Sequence, residues 1–245
     1  MLRRGERVVG TVRDTGKVAD LADQHPDAFR SEVLDVTDTA AVRAVVERAF
    51  TASGRIDVVV SNAGYGLFGA AEELSDAQVD HIIATNLTGS IQLIRAALPH
   101  LRAQGGGRII QISSYGGQVA FPGNSLYHAT KWGIEGFAEA VAQEVAPFGI
   151  GVTIVEPGGA RTEFRYGSAQ VADLMPAYDG NPAHAFLAML DPATWATWAT
   201  SPRSTTSAIS VAPRSRGRRQ HPPAEHAHEG HRGGRGLRGR HRLLR

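Results

Sequence analysis

The chain has 245 residues, 42% of them hydrophobic and 20% charged, which suffices for one α/β domain with a sizeable core. It has no cysteine, which excludes a disulfide framework or a thiolate metal site, and no apolar run approaches the roughly 18–20 residues that span a bilayer. The net charge of +2 averages two unlike parts: residues 1–192 carry −7, and residues 193–245 carry +9 from 11 Arg and 2 Glu.

The first six residues lack the apolar core of a secretory signal, so a cytoplasmic protein is the expectation. Residues 7–12 (RVVGTV) read as a strand, and 17–24 as a helix. Gly5 reads as a helix C-cap. Residues 29–34 form a weaker strand. Asp38 is placed to cap a helix through 40–51. The apolar run 56–60 (IDVVV) predicts a strand buried on both faces. Ser75 and Gln78 have capping-box spacing ahead of another helix. A long helix is expected over 88–101, a strand over 108–112, a helix over 125–145 and a strand over 151–155. Alternating β and α units imply an α/β, doubly wound parallel sheet with helices on both faces.

The polar motifs fall just after predicted strands. They are Val12-Arg13, Asp35-Val36, Asn62-Ala63-Gly64, Ser113-Ser114 and Pro157-Gly158. Ligands of a doubly wound sheet sit beyond the strands' C-terminal ends, so all five are expected along one edge. Tyr127 and Lys131, four apart, share a helix face, and Ser114 lies thirteen positions upstream. An ammonium beside a phenol favours the phenolate, which suits proton transfer near neutral pH.

The strand ending in Ser114, the Asn62-Ala63-Gly64 turn, the segment Asn86-Leu87-Thr88-Gly89, the Tyr127/Lys131 pair and Pro157-Gly158 with Thr162 occur together in this order. The set resembles the short-chain dehydrogenase/reductase family over about residues 7–191. The resemblance implies NAD(P)-dependent interconversion of a carbonyl and an alcohol. It implies that Tyr127 transfers the proton, Lys131 lowers the tyrosine pKa and binds the nicotinamide ribose, and Ser114 positions the substrate oxygen. Asn86 would hold a water linking Lys131 to solvent. Asp35, with Val36, would contact the adenine ring, the competing reading of Asp35 being a helix or turn cap. Asn62, Ala63 and Gly64 would let the cofactor approach the backbone. Pro157, Gly158 and Thr162 would lie at the nicotinamide. No metal is implied. Residues 65–68, 115–121 and the segment after Thr162 would set substrate identity. Pairing through two long helices would give a homodimer or homotetramer.

Cofactor choice is read at the end of the 7–12 strand, which takes the place of the family's second strand, where an acid binds a ribose 2′-hydroxyl and an arginine accommodates a 2′-phosphate. Val12 takes the acidic position and Arg13 follows, which favours NADP over NAD. The family's glycine-rich T-G-x-x-x-G-x-G turn does not occur, and neither do the strand and helix around it. A misassigned start codon is the favoured expectation, with true truncation second. A central strand missing from the sheet would leave two strand edges open. The alternative functional reading is a non-catalytic remnant. Residues 193–245 are rich in Arg, Pro, Gly and His and are expected to be disordered, with a frameshift near 193 as the hypothesis for their composition. Their arginines predict no specific nucleic-acid recognition, since aromatics for stacking are absent after Trp198.

Overall fold

A computed structural model describes residues 1–158 and 168–187. Leu2–Arg4 forms a single 3₁₀ turn that Gly5 closes at φ 79°, the left-handed cap expected of it. Then β1 (Val8–Val12), a 3₁₀ turn (Thr15–Val18), α1 (Ala19–Gln24) and β2 (Phe29–Val33) follow. The Asp38 carboxylate accepts the Ala41 N–H and starts α2 (Thr39–Ser53). Next come β3 (Val58–Ser61), the two-residue β4 (Leu67–Phe68) and α3 (Asp76–Ile82), opened by the Ser75/Gln78 capping box. A π-helical stretch (Ile83–Gly89) runs on into α4 (Ser90–Ala103). The described order ends with β5 (Gly107–Ile112), α5 (Ser125–Val145), β6 (Ile150–Val155), β7 (Gln170–Val171) and α6 (Pro182–Leu187).

All strand pairs are parallel. Val8–Val12 of β1 runs in register with Phe29–Val33 of β2, while β3 pairs with β5, and β5 with β6. These are two sheets, β1-β2 and β3-β5-β6, with no ladder between β1 and β3. Among the described residues one edge of β1 and one edge of β3 are therefore open, as expected where a central strand is missing. This corrects one expectation. The 56–60 run is not fully buried: among the described residues β3 has a neighbour on one side only, and Val60 is 42% exposed.

Helices hold the two sheets together. α2 packs on α4, and Leu34, Val42 and Val45 meet Leu93 and Ala96. The larger core joins Val46 and Phe50 of α2 to Ile94, Ala97 and Leu101 of α4, Ile109, Val141, Val145 and Ile150. Burying side chains of this size contributes roughly 1.5–3 kcal/mol each. Near the join, a Cβ on Gly89 would lie 2.8 Å from the Val36 carbonyl oxygen, so glycine permits the close approach. A third small pair, β4 with β7, docks residues 170–187 beside the loop after β3. Among the described residues no helix is long and apolar enough to cross a membrane.

Candidate active site

Every polar motif read from the sequence, up to Gly158, lies at or just beyond the C-terminal end of a strand. Arg13 follows β1, Asp35 and Val36 follow β2, Asn62-Ala63-Gly64 follows β3, Ser113-Ser114 follows β5, and Pro157-Gly158 follows β6. The parallel registers put these ends along the same side of their sheets. Thr162, Phe164, Tyr166 and residues 193–245 lie outside the described residues.

α5 carries Tyr127 and Lys131 into the protein, where they are 8% and 5% exposed. Tyr127 packs in an apolar cluster with Tyr65, Leu67, Leu74, Ile82 and Ala172. Ser114 acts on the Tyr127 phenol as a hydrogen-bonding neighbour. The same serine oxygen accepts the Gly116 N–H at 3.1 Å. Lys131 Nζ lies 5.6 Å from the Tyr127 ring centroid and donates to the Ile112 carbonyl at 3.1 Å. Burial pushes the Lys131 ammonium down to about 8, opposed by the Glu135 charge. Burial pushes the Tyr127 phenol up, while the Ser114 hydrogen bond pulls it down. The net shift is upward because the ring sits among apolar side chains, and the Lys131 ammonium is turned to the Ile112 carbonyl.

Asn86 lies in the π-helical stretch, the kind of distortion that recurs at functional sites. Its side chain bonds mainly to backbone. Oδ1 accepts the Tyr65 N–H at 3.0 Å, and Nδ2 donates to the Tyr65 carbonyl at 2.8 Å. A Cβ on Gly64 would lie 3.1 Å from Asn86 Oδ1 and 3.8 Å from Lys131 Nζ, so glycine lets this turn sit against both. Asn62 and Ala63 beside it are exposed.

Asp35 caps a turn with one carboxylate oxygen. Its Oδ1 accepts the Thr37 N–H at 2.9 Å and the Thr37 hydroxyl at 2.7 Å. These bonds, helped by the Arg13 and His81 charges, hold its carboxyl below the usual range. Arg13 is exposed, and Asp14 spends one carboxylate oxygen on the Gly16 N–H at 2.9 Å, capping the 3₁₀ turn.

Sequence reasoning missed His128, Glu135 and the Glu73–His184 pair. His128, Glu135 and Glu73 are buried polar side chains and His184 is half-buried, and such burial of polar groups was the available signal. Glu73 accepts the Ala70 and Met175 amides at 2.6 and 2.7 Å and pairs with His184 Nε2 at 2.7 Å. No cluster of three metal-ligating side chains occurs among the described residues.

The donor set suits a nicotinamide dinucleotide. A guanidinium for phosphate, exposed peptide groups, a buried ammonium for ribose hydroxyls and a phenol for proton transfer lie at one set of strand ends. The glycine-rich turn that would seat a pyrophosphate is not among the described residues.

Comparison with known proteins agrees. The oxidoreductase BOA17 of Botryotinia fuckeliana is 38% identical over 178 residues, which are 72% of this chain and 65% of that protein. A 3-ketodihydrosphingosine reductase of Bacteroides thetaiotaomicron is 42% identical over 135 residues, 55% of this chain and 50% of that one. The chain therefore spans about half to two thirds of these curated relatives. The crystal structure of a short-chain dehydrogenase from Streptomyces avermitilis superposes with a TM-score of 0.73 at 38% identity, covering 81% of this chain and 75% of that one. Several structural neighbours hold NADP; one is ElxO, with a TM-score of 0.61 at 30% identity, covering 64% of this chain and 65% of that one. The sequence model of the short chain dehydrogenase family matches residues 1–171. The chain belongs to the short-chain dehydrogenase/reductase family of NAD(P)-dependent oxidoreductases.

Proposed function

We propose that the protein exchanges a hydride between NADP(H) and a small-molecule carbonyl or alcohol, with Tyr127 passing the proton. The observation that carries this reading is that the buried Tyr127 has Ser114 as a hydrogen-bonding neighbour of its phenol and the buried Lys131 on the same face of α5. The cofactor, when bound, supplies or accepts the hydride. In reduction the Tyr127 O–H gives its proton to the carbonyl oxygen, and in oxidation the phenolate takes one from the alcohol. Ser114 holds that oxygen in line. Lys131 stabilises the phenolate and offers its ammonium to the ribose, and Asn86 fixes the turn after β3 beside it. Asn62, Ala63, Gly64, Pro157, Gly158 and Thr162 are the remaining cofactor contacts of this reading.

Arg13 supports NADP over NAD. It is exposed at the end of β1, and the neighbouring acid, Asp14, is engaged as a cap. The substrate would meet residues 65–68 and 115–121, where the Tyr115 and Phe121 rings lie 5.4 Å apart and Phe121 stacks on Phe186 at 6.0 Å. A cytoplasmic homodimer or homotetramer formed through α4 and α5 completes the proposal; Trp132 on α5 is 54% exposed. The test is NADPH oxidation across a panel of ketones and aldehydes, with Tyr127→Phe as the control. Turnover that Tyr127→Phe abolishes supports the assignment, and turnover unchanged in that variant overturns it.

A second reading, a non-catalytic remnant, is favoured by the open edges of β1 and β3. Titration of the folded chain with NADPH and NADH, followed by nicotinamide fluorescence, separates the two. Selective NADPH binding supports the enzyme, and no binding supports the remnant.

A further inference from the structure

We propose that Glu135 and His128 are positioning residues that hold the Ser114 loop in register with the Tyr127–Lys131 face of α5. Seven residues apart, they stand two turns from each other on one helix, His128 next to Tyr127 and Glu135 one turn after Lys131. Both are buried, each 5% exposed.

They grip the loop after β5 at both ends. The Glu135 carboxylate accepts the Ser113 hydroxyl on one oxygen and the Gln118 side-chain amide on the other. His128 Nδ1 lies 2.7 Å from the Gly116 carbonyl, and the Phe121 N–H donates to Nε2 at 3.0 Å. A carbonyl only accepts and an amide N–H only donates, so these contacts fix one neutral tautomer, with the proton on Nδ1. The four contacts staple residues 113–121 to the helix. The loop approaches so closely that side chains are excluded from it. A Cβ on Gly116 would lie 2.9 Å from His128 Nδ1, and one on Gly117 would overlap the Glu135 carboxylate.

The arrangement divides the work of two adjacent serines. Ser113 is spent on Glu135, which leaves Ser114 pointed at Tyr127. A buried carboxylate is costly unless its oxygens are paired, and here both are. The charges facing Glu135 are Lys131 one turn before it, Glu139 one turn after it, and Glu156 beyond β6. A glutamine at 135 would keep both hydrogen bonds if the Gln118 amide flips, and would remove only the charge.

The catalytic part of this inference rests on the proposed redox reading, so the test has one readout that needs no turnover. The full chain, Glu135→Ala, Glu135→Gln and Ser113→Ala are compared, with folding checked by circular dichroism. Tyr127 titration is read as the ultraviolet difference between each protein and its Tyr127→Phe counterpart. The kcat and the NADPH KM are measured alongside. In Glu135→Ala the Ser114 bond loosens, so the Tyr127 titration moves to higher pH and kcat falls roughly tenfold or more while KM holds within about twofold. Glu135→Gln returns both readouts to within about threefold of the parent. Ser113→Ala, which removes the same bond without a large cavity, moves both in the direction of Glu135→Ala and decides the matter if that variant does not fold. Unmoved titration in folded Glu135→Ala, or in Ser113→Ala, overturns the inference. A titration shift in a protein that turns over no carbonyl supports the positioning role and counts against the redox reading alone.

Discussion

Lys131 Nζ stands 5.6 Å from the Tyr127 ring centroid, yet its hydrogen bond goes to the Ile112 carbonyl. The pair shares a helix face. In the proposed reaction the proton passes through Tyr127. Tyr127→Phe is expected to lower kcat by about 10²–10⁴-fold and leave NADPH affinity nearly unchanged. Steady-state kinetics with a fluorescence titration of the cofactor check this.

Lys131 also leaves a signature in stability. Its drop from the usual 10.5 to about 8 corresponds to roughly 3 kcal/mol against holding the ammonium buried. Below pH 8 the lysine is charged in both folded and unfolded chains, and the fold bears that cost. Between pH 8 and 10.5 the folded protein releases the proton first, so stability from this group rises with pH. Lys131→Met is expected to be about 1–3 kcal/mol more stable than the parent at pH 7. The gap should close as the pH passes 8 towards 10.5. Urea unfolding at several pH values measures it.

Arg13 carries the cofactor preference in the proposed function. Arg13→Asp is expected to shift the ratio of NADPH to NADH affinity by roughly 10–100-fold towards NADH, the worth of one charged hydrogen bond. Parallel titrations with both cofactors check it, and an unchanged ratio would remove Arg13 from the site.

The Glu73 carboxylate fastens residues 170–187 to the loop after β4. Burial works to raise its pKa, but the Met175 and Ala70 amides and His184 outweigh that and hold it below the usual range. Nearby, the Tyr178 hydroxyl donates to Glu72 at 2.8 Å, and Phe186 stacks on Phe68 at 6.2 Å. Glu73→Ala leaves three donors without their acceptor and should speed proteolytic cleavage within 170–187 severalfold while α5 stays protected. In the parent, the contribution of Glu73 is present above the ordinary glutamate range and is lost as the pH falls through its lowered pKa. Limited proteolysis followed by mass spectrometry reads both effects.

The long elements were legible because their signals are local. The Asp38 cap, the Ser75/Gln78 box and the 125–145 helix are where the side chains place them. The Ser114, Tyr127 and Lys131 spacing pointed to three residues that the fold places near one another. Context carried the rest out of sight. β3 reads as fully buried because Val58-Val59-Val60 says nothing about how many neighbours the strand has. β4 and β7 are two residues each, too short for any period. The π-helical stretch is invisible to a 3.6-residue pattern, and the 88–101 helix is in fact continuous with α3 through it. The raised Tyr127 phenol depends on Tyr65, Leu74 and Ile82, which close around it only after folding.

The division of the strands into β1-β2 and β3-β5-β6 has a thermodynamic consequence. Arg13 and Asp35 ride on one sheet, while Ser114, Tyr127 and Lys131 ride with the other, and the two are coupled through side-chain packing, with no backbone ladder joining them. Packing of that kind lets two parts melt separately, the smaller first. In the proposed function, a dinucleotide touching Arg13 at one end and Lys131 at the other would be a mechanical tie as well as a reactant. Its binding would merge two melting steps into one, with the largest gain in amide protection in β1 and β2, the strands farthest from the chemistry.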